Sequence, residues 1–191
     1  MTTRRAVLDA DIIFSRVLHE LIGRLAVGPR LFDLIWSDEL LDEAKSSLVD
    51  KKGLSNDAAE AWVDHMRREF PNGRVDSASV SDDLDVRSLT RDPEDVHVCA
   101  LALAGNAELL LTFDRGYLKE PLQGHGVEVP DLDRFLVDHC KQQPEVFARI
   151  VERQADVWNG GHPVDELLAA FSRANVPRFA EALALLVEPS S

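Results

Sequence analysis

Two kinds of apolar pattern alternate along the first 140 residues. Short runs such as Ala6-Val7-Leu8, Leu34-Ile35-Trp36 and Leu109-Leu110-Leu111-Thr112 are continuous and read as strands. Between them, apolar residues recur every three or four positions. Leu18, Leu21, Ile22 and Leu25 form one helical stripe, stopped by Gly28-Pro29. Leu40, Leu41, Ala44 and Leu48 form a second, opened by Ser37-Asp38 and ended near Gly53. Ala59, Trp62, Val63, Met66 and Phe70 form a third, capped by Ser55 or Asn56. Residues 71–91, including Ser77 to Asp83, read as polar connection with one short strand around Val75. Asp92-Pro93 then predicts a helix start, with Val98, Cys99, Leu101 and Leu103 within it and Gly105-Asn106 closing it. Val127–Val129 reads as a last strand, followed by a helix from Pro130 to about Cys140.

Strands this short and apolar, separated by helices, predict an α/β domain with a central parallel sheet covered on both faces. After residue 141 only helical patterns remain, over 144–158, 163–174 and 177–187, punctuated by Gly160-Gly161 and Asn175-Val176-Pro177. The expected organisation is therefore an α/β domain over 1–140 and a helical C-terminal extension over 141–191.

Composition narrows the classes further. The 191 residues are 45% hydrophobic and 29% charged, ordinary values for a globular protein. No apolar run approaches the roughly 18–20 residues that span a bilayer, and the N-terminus lacks a leader-like apolar segment. Cys99 and Cys140 are too few for a disulfide framework or a Cys-rich zinc site, and they suit a reducing cytoplasm. The net charge of −13 argues against a broad electrostatic binder of nucleic acid. Neither an internal repeat nor a Gly-rich phosphate loop is visible.

The informative residues are acids. In open α/β sheets, ligands sit beyond the carboxyl ends of the strands. Asp9 ends the first strand and Asp11 follows it, Asp114 lies just past Leu109–Thr112, and Asp95 opens the helix before that strand. Glu43 lies close to the apolar stripe of its helix, which turns it along the surface towards a cleft. Each has a plain structural explanation: Asp92-Pro93-Glu94-Asp95 makes a good helix start, and Asp114 suits a turn before Gly116. Asp9 is the exception, because an acid abutting a buried strand is costly unless it is paired or cation-bound.

Together the segments VLDADIIFS around Asp9, DEA with Glu43, DPEDVHVCALA with Asp95 and LLLTFDRGYL with Asp114 resemble the PIN-domain ribonucleases. Within them they are similar to the toxins of VapBC toxin–antitoxin pairs. The resemblance covers roughly residues 4–140, and the helical extension looks like that of one longer subgroup. It implies a three-layer α/β/α fold and a metal-dependent endoribonuclease leaving 5′-phosphate and 3′-hydroxyl ends. Asp9, Asp95, Asp114 and Glu43 would be the catalytic and metal-binding set. Asp11 stands where the family more often has Asn, and it is held as a neighbour of the ligands that positions water. Thr112 and Arg115 are candidates for phosphate contact or for support of the ligands from behind. All-oxygen donors suit Mg²⁺ or Mn²⁺ and offer none of the thiolate or clustered imidazole that zinc prefers. The implied partners are RNA, a cognate antitoxin placing a basic residue near the acids, and a second copy of the chain.

Two other readings stay open. Asp9-Ala10-Asp11 also resembles the motif of haloacid-dehalogenase-type phosphatases, with Asp9 as nucleophile and Asp11 as general acid. No counterpart of that family's downstream Lys and acidic motif is found. The chain could also be a catalytically inactive PIN-fold interaction module. His97 is read as a partly buried, hydrogen-bonded residue without a catalytic role, and Cys99 as core. The Trp62 and Met66 stripe is read as core before partner surface. Residues 141–191 hold five basic and seven acidic residues, so most of the negative charge lies in the first 140. Lys51, Lys52, Arg67, Arg68, Arg74 and Arg115 are the candidates for a locally basic RNA path.

Overall fold

The computed structural model describes residues 3–80, 85–158 and 164–187. Their elements run β1 (Arg4–Leu8), α1 (Ala10–Ile13), α2 (Arg16–Val27), β2 (Phe32–Ile35), α3 (Asp38–Lys52), α4 (Asn56–Glu69), α5 (Val96–Ala104), β3 (Leu109–Leu111), α6 (Lys119–Gly124), α7 (Leu132–Gln142), α8 (Pro144–Val157), α9 (Val164–Arg173) and α10 (Pro177–Ala184). They fall into two compact units: Met1–Phe14 with Arg30–Pro130, and Ser15–Pro29 with Asp131–Ser191.

The first unit is built on a parallel sheet of order β2-β1-β3. Val7 of the central strand stands level with Ile35 on one side and Leu110 on the other. Ala6, Val7, Leu110 and Leu111 are fully buried, which is why these strands read as unbroken apolar runs rather than alternating ones. The Ser37 hydroxyl accepts the Leu40 N–H at 3.2 Å and starts α3, with Asp38 and Glu39 in its first turn. Lys51 and Lys52 end it before Gly53, whose φ of 68° closes the helix in the left-handed region. Ser55 caps α4, which packs on α3. The expected α/β class with a parallel sheet is the observed one.

Several expected elements differ. Val75 forms no strand. The chain makes a 3₁₀ turn at Pro71–Gly73, and only Trp36 and Arg74 form a bridge there. Residues 127–129 touch the sheet through one bridge, Leu109 to Glu128, too little for a fourth strand. Pro93–Asp95 is a 3₁₀ turn, so α5 begins three residues later than the Asp92-Pro93 signal suggests. Helix α6 was not expected. Parts of the 77–83 and 163–174 readings, and Gly160-Gly161, lie outside the described residues.

The second unit is helical. Phe147, Phe171 and Phe179 meet edge to face in its core. Asp133 accepts the backbone N–H groups of Arg178 and Phe179 at 3.1 and 2.8 Å, tying α7 to the start of α10. Helix α2 belongs here: its buried face, from Val17 to Leu25, packs on α8 and α9. This unit thus joins Ser15–Pro29 to Asp131–Ser191. A helical stripe says that a face is covered but not by which element, so the grouping of α2 with α8 and α9 is visible only in the packed structure.

No described helix is long and apolar enough to cross a membrane, and both cysteines are free and buried.

Candidate active site

Strand order 2-1-3 places a topological switch between β1 and β3, where two adjacent carboxyl ends open a crevice. The register that aligns Leu8 with Leu111 makes Asp9 and Thr112 the next pair beyond the sheet. Asp9 is 5% exposed, and its N–H donates to the Leu111 carbonyl at 3.0 Å. Its Oδ1 accepts the Ala10 N–H at 2.8 Å. Its Oδ2 accepts from the Thr112 hydroxyl at 2.7 Å and the Tyr117 hydroxyl at 3.1 Å. Burial pushes the Asp9 carboxyl above its ordinary range in spite of these bonds, and the charge of Glu43 adds to the rise.

The neighbouring acids crowd the same place. Asp11, in the short helix after Asp9, accepts the Phe113 N–H on Oδ2 at 2.9 Å, while its Oδ1 is buried without a partner. Burial first, and the charge of Asp9 second, push its pKa up to about 7. Asp95 ends the 3₁₀ turn before α5. Its Oδ2 is also buried without a partner. Burial, then the charges of Asp9 and Asp114, raise its pKa to about 6. Asp114 follows β3; its N–H donates to Thr112 Oγ1 at 2.8 Å and its Oδ1 accepts the Gly116 N–H.

Gly116 sits where Asp95 and Asp114 converge. A Cβ on it would lie 2.9 Å from Asp114 Oδ1 and 3.4 Å from Asp95 Oδ2. The two oxygens thus flank a small space that any larger residue would fill.

Glu43, on α3, stands at the edge of this group. Its Oε2 lies 3.1 Å from His97 Nε2, and His97 Nδ1 lies 2.7 Å from the Glu94 carbonyl. The Nε2 contact is an ion-pair distance outside good hydrogen-bond geometry. Both ring nitrogens face acceptors, and only the imidazolium can donate to both. Burial alone lowers the His97 pKa; Glu43 and the Glu94 carbonyl outweigh it, and the net shift is upward.

The fold therefore gathers Asp9, Asp11, Asp95, Asp114 and Thr112, with Glu43 held at their margin by His97. Among the described residues these side chains do not form a ready-made metal cage. Asp9 and Asp114 instead turn oxygens to nearby protein donors, Asp9 to Ala10, Thr112 and Tyr117 and Asp114 to Gly116. The donor set still fits a hard divalent cation, since it is all oxygen and leaves the buried Asp95 Oδ2 and Asp11 Oδ1 unused.

Some expected roles change. The buried Thr112 hydroxyl bridges Asp9 and the Asp114 N–H, which places it beside the acids. Arg115 is exposed and, among the described residues, has no carboxylate partner. Arg67 is held by Glu60 and Asp64, and Arg74 by Asp38, which takes both out of the basic path. Met66 is buried and Trp62 donates to the Ile13 carbonyl at 3.0 Å, so that stripe packs within its unit. Tyr117 and the bracing role of His97 were missed. The Gly-Tyr pair after Asp114-Arg115 was the available signal for Tyr117. Burial pushes the Cys99 thiol up to about 12, which leaves no reactive thiolate near the acids.

A family model described as PIN domain matches residues 5–116, more than half of the chain, and takes in every acid above. Searches of curated proteins and of solved structures each gave no match. PIN domains are generally metal-dependent nucleases that use Mg²⁺ or Mn²⁺, the cations that an all-oxygen acid cluster suits. Family match, strand order and acid placement agree, and the chain belongs to the PIN-domain family.

Proposed function

We propose that this chain is a Mg²⁺- or Mn²⁺-dependent endoribonuclease, and that it is the toxin of a toxin–antitoxin pair. The observation that carries the nuclease reading is the cradle over Gly116. There an unpartnered, buried Asp95 oxygen and an Asp114 oxygen flank one small space beside Asp9. Asp9, Asp95 and Asp114 would hold the cation, with Glu43 as a further ligand or as the group that orients water. When bound, the cation would lower the pKa of water and stabilise charge on the scissile phosphate. Thr112 and Tyr117 fix the Asp9 carboxylate, and Asp11 braces the turn at Phe113. The toxin reading rests on the four acidic segments and their order. An antitoxin would insert a basic side chain among these acids, and two copies of the chain would join two clefts. A phosphatase using Asp9 as nucleophile gains no support, because the family match is to the PIN domain.

The full chain should cut 5′-labelled RNA with Mn²⁺ or Mg²⁺, leave 3′-hydroxyl ends and lose activity in EDTA. Cleavage that persists in EDTA, or no cleavage together with no thermal shift on adding Mn²⁺, overturns the reading.

The contact at Glu43 gives a second test. Removing a partner that orients a ligand commonly costs about 10–100-fold in metal affinity or activity. His97→Ala should show a loss in that range, measured as a higher Mn²⁺ concentration for half-maximal rate. His97→Gln, which keeps one donor, should lose less. Equal half-maximal Mn²⁺ concentrations in all three proteins would remove His97 from the site.

A further inference from the structure

We propose that Phe14, Lys51 and Lys52 form a subsite that binds single-stranded RNA beside the acidic crevice, stacking a base on the Phe14 ring and pairing phosphates with the two lysines. The inference rests on the ribonuclease reading above. Phe14 closes the short helix after Asp9, its N–H donating to the Ala10 carbonyl at 2.9 Å. Its ring is half-exposed. The ammonium groups of Lys51 and Lys52 stand 5.7 and 5.3 Å from its centroid, within cation–π range.

Three features mark this contact as a recognition surface. First, Lys51 and Lys52 are exposed and have no carboxylate partner among the described residues, in a chain of net charge −13. Lys45, Arg67 and Arg74, by contrast, are each drawn into ion pairs. Second, an aromatic face beside unpaired cations is the two-part footprint of single-strand binding, where bases stack and cations follow the backbone. Third, the place lies close along the chain to the acids. Phe14 lies one helical turn beyond Asp9 and Asp11, and Lys51 lies on the helix of Glu43, about 12 Å further along its axis at 1.5 Å per residue.

Without an anion, the lysines rest over the ring. With RNA bound, their long flexible stems let the ammonium groups swing to phosphates and uncover the ring face for a base. Both parts of the interaction follow from side chains already in contact, and no rearrangement of backbone is needed.

Binding is measured by fluorescence anisotropy on the full-length chain carrying Asp114→Asn, which prevents cleavage. The probes are labelled decaadenylate and an abasic ribose-phosphate decamer. Stacking is worth enough per base that Phe14→Leu should weaken decaadenylate binding about tenfold and leave the abasic probe unchanged. Phe14→Tyr, which keeps a ring, should bind as the parent does. The Lys51→Ala/Lys52→Ala double variant should weaken both probes and make the salt slope shallower by about 1.4, at about 0.7 per phosphate contact. Parent-like decaadenylate affinity in Phe14→Leu overturns the stacking subsite, and an unchanged salt slope in the lysine variant overturns the phosphate contacts. If the unmutated chain cuts RNA while both variants match their parent, only this inference falls. If the unmutated chain neither binds nor cuts RNA, the ribonuclease reading falls with it.

Discussion

Asp9→Asn is expected to raise the thermal midpoint of the metal-free protein by a few degrees while lowering RNA hydrolysis about a thousandfold, roughly 4 kcal/mol of barrier. The two effects have one cause. Asp9 is buried, its carboxyl is pushed upward by that burial, and its charge in turn raises Asp11 and Asp95. Removing the charge relieves repulsion at three sites. The amide still fits the local bonding. Its oxygen can accept the Ala10 N–H, and its NH₂ can donate to the oxygens of Thr112 and Tyr117 once those hydroxyls rotate. What is lost is the negative charge that a divalent cation needs. A structural Asp9 behaves in the opposite way: Asn in place of a needed carboxylate destabilises by about 1–3 kcal/mol, and activity falls with the folded fraction. Thermal melts in EDTA, beside single-turnover cleavage with Mn²⁺, separate the two. A lowered midpoint with near-normal cleavage would make Asp9 a fold residue.

That pairing of strain with placement explains why parts of the site were legible from residues alone. Asp9 and Asp114 stand out because each follows a buried run, and parallel strands bring their carboxyl ends to one edge. Asp95 is legible only with them, since its Asp-Pro-Glu-Asp context is a sufficient helix start by itself. Glu43 was readable to the level of helix face, but its tie to His97 depends on how α3 and α5 approach, which periodicity does not encode. The bond from the Thr112 hydroxyl to Asp9 was not legible, because an unbroken apolar run such as β3 does not show which way the next polar side chain turns. Tyr117 and Gly116 act through a turn whose path sequence pattern leaves open. The helices were the easiest elements, yet α2 joined a different unit from its chain neighbours. A stripe predicts burial; only the packed structure names the partner.

Metal-free protein should lose stability as pH rises from 5 to 8, and Mn²⁺ should restore it most at the upper end. Asp11 titrates near 7 and Asp95 near 6 when folded, against 3.8 for an ordinary Asp. Between those limits the folded chain holds protons that the unfolded chain has released. A raised folded pKa gives a contribution fully present below the unfolded value and lost as pH climbs through the folded one. For these two groups that window runs from about 4 to about 7. Asp9 and His97 are raised as well, so neither opposes the trend. With solvent screening discounted, the combined effect is of order 2–3 kcal/mol, or roughly 5–10 °C for a chain of this size. A cation at a hundred times its dissociation constant returns about 2.7 kcal/mol. The restored stability should be smaller at pH 5, where protons already occupy the acids and compete with the metal. Asp11→Asn isolates the larger of these two shifts: it should flatten the pH slope and leave the metal-free midpoint higher at pH 8. Differential scanning calorimetry of both proteins, with EDTA or Mn²⁺ at pH 5, 6.5 and 8, reads all of these quantities. A midpoint that rises from pH 5 to 8 in EDTA, or an Asp11→Asn slope equal to that of the parent, would show that the crowded carboxylates do not carry the strain assigned to them.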